Sequence, residues 1–144
     1  MSSEILQSIK DKIGGQWKLD RSENFSEALA AMGLNIVFRQ LACHAKPSME
    51  IEVEDGKVKI IAKASFFTQT MLFPINEPYD QEFDGIKMKC MTKWENNVLI
   101  TEAVPVDPDK HKPQKFHRER VNDELVQTMW IGDVVCTRWF KPQS

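Results

Sequence analysis

The sequence of 144 residues offers no spacing for a disulfide framework or a metal cluster, no dominant charge and no membrane-length apolar run. It has three cysteines, Cys43, Cys90 and Cys136. Their number is odd, and no C-x-x-C spacing occurs, so a disulfide framework is not expected. His44, His111 and His117 supply no zinc spacing with them, and no metal or cofactor is expected. The net charge of −2 and pI near 5.9 lack the basic field of a nucleic-acid binder. Lys110, Lys112 and Lys115 lie around Pro113 in a segment that reads as a solvated loop. No run reaches the length of a membrane span. The opening Met1–Lys10 has neither the basic start nor the continuous apolar stretch of a secretory signal. The expectation is a reduced, monomeric cytoplasmic protein, with the nucleus as a second compartment. It should form a single domain over residues 1–144 with a substantial core.

What is present changes character along the chain. Ile5, Leu6, Ile9 and Ile13 recur at helical spacing behind Ser2 or Ser3 as N-cap, and Gly14-Gly15 ends the run. This predicts a short helical extension over residues 1–13, either packed on the domain or used for membrane or partner contact. A strand over Gln16–Asp20 follows, and Asn24 is placed to cap a helix. Phe25, Leu29 and Met32 form one apolar stripe, and Ile36, Val37 and Leu41, with Phe38 beside them, form another. Gly33 divides the stripes, which predicts a helix-turn-helix over residues 25–46, closed by Pro47.

Beyond Ser48 the helical period disappears. Turn signals at Asp55-Gly56, Asn76-Glu77-Pro78, Asp84-Gly85, Asn96-Asn97, Asn122-Asp123 and Gly132-Asp133 separate short runs of β-forming residues. Such spacing predicts an antiparallel meander in a barrel or sandwich. The proline-rich segment 105–113 is too long for a tight hairpin.

The last strands carry the chemistry. Alternation places Val134, Cys136, Arg138 and Phe140 on one face of a strand. Phe116, Arg118 and Arg120 can share a face in the same way. An arginine that stays charged near neutral pH, aimed at an apolar interior, suits an anionic head group on an oily tail. A one-residue slip of register would instead turn it to water.

In its order of elements the chain resembles the intracellular lipid-binding proteins, especially the fatty-acid-binding branch. The resemblance rests on Gly15-Gln16-Trp17-Lys18-Leu19, Ser22-Glu23-Asn24-Phe25, Arg39, Leu41, Ala45-Lys46-Pro47 and Val134-Val135-Cys136-Thr137-Arg138. It spans roughly Gly14 to Lys141. It implies an all-β fold, a ten-stranded antiparallel up-and-down barrel with a helical lid over a solvated cavity, and no catalysis. It also implies that Arg118 and Arg138 hold a ligand carboxylate, while Phe140 stands where the family has a tyrosine. Phe25, Leu29, Met32 and Val37 would face the cavity from the lid, Met49 would lie near the entrance, and the portal phenylalanine would be Phe66 or Phe67. Phe116, Gln127 and Met129 would be interior.

The implied function is carriage of a long-chain fatty acid or related lipid. A retinoid or N-acylethanolamine ligand is one alternative. Lipid-gated docking to a membrane or nuclear receptor, supported by the extra N-terminus and the 105–113 loop, is another. His44, His111 and His117 form no evident catalytic dyad, so an enzyme is not expected.

Overall fold

The computed structural model describes every residue except Met1, Asp84 and Ser144. Helix α1 (Ser2–Ile13) precedes strand β1 (Gly15–Glu23), and helices α2 (Phe25–Met32) and α3 (Ile36–His44) follow. Nine more strands complete the chain: β2 (Ser48–Glu54), β3 (Lys57–Ala64), β4 (Phe67–Phe73), β5 (Tyr79–Phe83), β6 (Ile86–Glu95), β7 (Val98–Pro105), β8 (Gln114–Val121), β9 (Glu124–Ile131) and β10 (Val134–Pro142). They form one sheet in the order β4-β3-β2-β1-β10-β9-β8-β7-β6-β5, every described pairing antiparallel. Strand β1 joins β10, which curls the sheet into a barrel that is nearly closed, with no β4–β5 pairing among the described residues. The predicted ten-stranded barrel with a helical lid is the fold.

The turns follow their chemistry. Asp55, Asn96, Asn97 and Asn122 adopt positive φ, as do Gly56 and Gly132, and such backbones match the twist of tight hairpins. The turn at Ser65-Phe66 has no such signal and could not be read from sequence. Of the expected Asp84-Gly85 turn, Asp84 lies outside the described residues.

Three local expectations need correction. Ser2 and Ser3 lie within α1, and the position before the helix is Met1, which is not described. Asn24 has a left-handed backbone (φ 62°), and its side chain does not cap α2. Its amide nitrogen donates to the Val135 carbonyl instead, at 3.1 Å. Arg120 shares the parity of Arg118 but sits at the end of β8, exposed, donating to the Asn122 carbonyl and lying 3.8 Å from Asp123.

Helix α1 plugs one end of the barrel. Leu6, Ile9 and Ile13 pack against Trp17, Leu99, Leu125 and Phe140. The Trp17 indole donates to the Ile13 carbonyl at 3.0 Å, and the Trp94 indole to Ser8 Oγ at 3.1 Å. A Cβ on Gly14 would collide with the Lys10 carbonyl, which is why the chain leaves the helix there through glycine. Of the two uses open to residues 1–13, packing is the observed one.

Helices α2 and α3 cover the other end. The 105–113 loop reaches toward the Gly33 turn, where an added Cβ would touch His111, and it is tied to the β9–β10 turn by Gly132 N donating to the Pro113 carbonyl. The lid helices are short, and Ile36, Val37 and Leu41 are exposed, so less apolar surface holds them than holds the wall. In hydrogen exchange of the empty protein, residues 25–45 should exchange faster than Val134–Phe140. Equal protection would remove a mobile entrance.

Candidate functional site

Register brings the two arginines onto one rung of the inner wall. Arg118 of β8 lies opposite Gln127 of β9, and Gln127 lies opposite Arg138 of β10. With neighbouring strands about 4.8 Å apart, the arginine backbones stand about 10 Å from each other. All three side chains are buried, Arg118 at 6% and Arg138 at 7% exposure.

Neutral groups hold both guanidinium groups through Nε. Arg118 Nε donates to Gln127 Oε1 at 3.0 Å, and Gln127 Nε2 reaches Met129 Sδ at 3.3 Å. Arg138 Nε donates to Ser22 Oγ at 3.0 Å, and its guanidinium lies 3.6 Å from the centre of the Phe25 ring. Burial pushes both arginines down to about 10, which still leaves them charged at neutral pH. Among the described residues no carboxylate forms an ion pair with either. Two unneutralised cations beside an apolar cavity are costly, and an incoming anion would relieve that cost.

The cavity beyond them measures about 210 Å³. Phe25, Leu29, Met32, Met49, Phe66, Phe67, Phe116, Gln127, Met129 and Phe140 border it together with the two arginines. Val37 does not: it is 60% exposed on the outer face of α3. Helical spacing turns Phe38 and Ala42 inward, and their inward placement carries Val37 and Leu41 out. Five wall methionines, Met32, Met49, Met71, Met88 and Met129, are unbranched and can repack around a larger guest.

Phe38 is the centre of an aromatic cluster. Its ring meets Phe66, Phe67 and Phe83 edge-on at 5.5, 5.3 and 5.5 Å. Phe67 and Phe83 lie on β4 and β5, so this cluster bridges the seam where the described residues show no backbone pairing. Both candidate portal residues, Phe66 and Phe67, take part. The sequence reading missed Phe83 because it depends on which strands flank the seam.

A second polar cluster was also missed. The Tyr79 hydroxyl lies 2.6 Å from Thr92 Oγ1, which lies 2.8 Å from Thr101 Oγ1. Burial pushes the Tyr79 phenol up, while the nearby Arg118 charge opposes that shift. Alternation along β6, through Ile86, Met88, Cys90 and Thr92, was the available signal.

Known proteins share this architecture. No family model matches the chain. The mouse protein "Cellular retinoic acid-binding protein 2" is 38% identical over 129 residues, covering 86% of this chain and 93% of its own. The solved REP1-NXSQ fatty acid transporter superimposes with a TM-score of 0.84 at 28% identity, covering 92% of this chain and 96% of its own. Lipid binding protein 8 of Caenorhabditis elegans gives 0.86 at 27% identity, over 90% and 94%. The chain belongs to the intracellular lipid-binding protein family. The names of these relatives describe binding and transport. No helix among the described residues is long and apolar enough to cross a membrane.

Proposed function

We propose that this family member carries a single long-chain fatty acid or closely related anionic lipid, as a monomer in the cytoplasm. Its carboxylate would sit between Arg118 and Arg138, with the chain running toward Phe38, Phe66 and Phe67. The observation that supports this most is the pair of buried arginines on one rung, with no carboxylate partner among the described residues. About fourteen buried methylenes supply roughly 11 kcal/mol gross. Immobilising ligand and lid removes much of this, leaving affinity on the order of micromolar to nanomolar. The acyl chain supplies affinity and the arginines fix orientation.

Retinoic acid is the second reading, favoured by the retinoic acid-binding relatives. It too joins a carboxylate to an apolar body. Displacement of a fluorescent fatty acid by oleate, methyl oleate and retinoic acid tests both. Oleate should displace at least tenfold better than its ester, and equal displacement would defeat the carboxylate anchor. Stronger displacement by retinoic acid than by oleate would select the retinoid. Lipid-gated docking has lost one support, because α1 is packed into the barrel end.

A further inference from the structure

Arg138 faces two spaces. Its stacked pair with Phe25 forms a wall of the barrel cavity and also the inner wall of a separate cleft that opens to solvent. The cleft exists because β1 parts from its neighbour. Strand β1 pairs with β2 only from Gly15 to Lys18, and its pairing with β10 is broken by a bulge between Leu19 and Arg21. The bulge brings Ser22 opposite Arg138, re-aiming a side chain as bulges do beside binding sites. The start of α2 and the end of α3 form the sides.

The charges in this cleft are unequally paired. Arg21 is held by Asp20 at 2.8 Å and by Glu124 at 2.7 Å, which occupies the acidic group lining the cleft. Lys46 Nζ donates to the backbone carbonyl of Asp20 at 3.0 Å, and Arg138 has only neutral partners among the described residues. Ser22 and Ser26 add hydroxyls. The first turn of α2 has no side-chain cap, because Asn24 is turned toward Val135. A buried arginine, a lysine, two hydroxyls and an uncapped helix start favour a phosphate over a lone carboxylate.

We propose that this cleft receives a phosphate monoester, carried as the head group of a single-chain lipid whose acyl tail fills the barrel. The proposal rests on the lipid-carrier reading above and names a larger head group for the same ligand. The Arg138–Phe25 pair divides the two spaces, so it would have to part for the lipid to pass, and it would then be the junction between tail and head.

The probes are 1-oleoyl lysophosphatidate, oleate and inorganic phosphate, each titrated against the full chain. Lysophosphatidate should bind, and Lys46→Ala, an exposed substitution, should weaken it about tenfold while leaving oleate unchanged. Amide NMR signals of Ser22 and Ser26 should move with lysophosphatidate. An equal effect of Lys46→Ala on both lipids, or none on either, would overturn the proposal. Equal shifts with inorganic phosphate alone would assign the cleft to a free anion and overturn the lipid head group. Failure of wild-type protein to bind oleate would instead overturn the carrier reading, an outcome distinct from a failed cleft.

Discussion

Replacing Arg138 by alanine should weaken fatty-acid binding by about 1.5–3 kcal/mol, roughly ten- to hundredfold, and leave the methyl ester unaffected. The prediction follows from the stacked guanidinium, which keeps its terminal nitrogens for a guest while Nε is tied to Ser22. Arg118→Ala should cost less if its contact with the carboxylate passes through water. Stability should respond in the opposite sense to binding. Burial depresses both arginines, so the folded, empty protein holds two charges that water would solvate better. Arg118→Met keeps the volume and removes the charge, and should unfold at the same or higher denaturant concentration than the parent. Fluorescence titration of the alanine variants and urea melts of Arg118→Met provide both readings. A loss of stability above about 1 kcal/mol in Arg118→Met would make that arginine a scaffold for Gln127 rather than a receiver of ligand, outside the near-neutral range expected for such a replacement.

Much of this arrangement was legible because it depends on period. Alternation alone paired Arg138 with Val134, Cys136 and Phe140, and α1 was visible as Leu6, Ile9 and Ile13. The glycine and asparagine turns announced the meander. What escaped the sequence depends on partners distant along the chain. Phe38 points inward because Phe66, Phe67 and Phe83 wait across the seam, and Val37 is carried out with the helix. Asn24 has the composition of a cap but a left-handed backbone, and Val135 claims its amide. The bulge in β1 has no residue signature, yet it places Ser22 against Arg138 and opens the cleft.

The largest effect on stability is expected from α1. Ile9 and Ile13 are both 0% exposed, and the cluster they join contains Leu99, Leu125 and Phe140. Phe140 is also a wall of the cavity, so the plug and the binding chamber share a residue. Truncating Ile9 to alanine removes buried methyl groups and leaves a void that a closed barrel end cannot easily fill. The cost should be about 2–5 kcal/mol, read as a fall in urea midpoint with little change in slope. A detachable arm would behave differently: Ile9→Ala would change stability by less than about 0.5 kcal/mol, the range of surface substitutions. Such an arm would instead lose sedimentation with lipid vesicles. Measuring both quantities on the same variant separates the two roles. A large stability loss with unchanged vesicle binding makes α1 part of the barrel, while the reverse pattern would return it to docking.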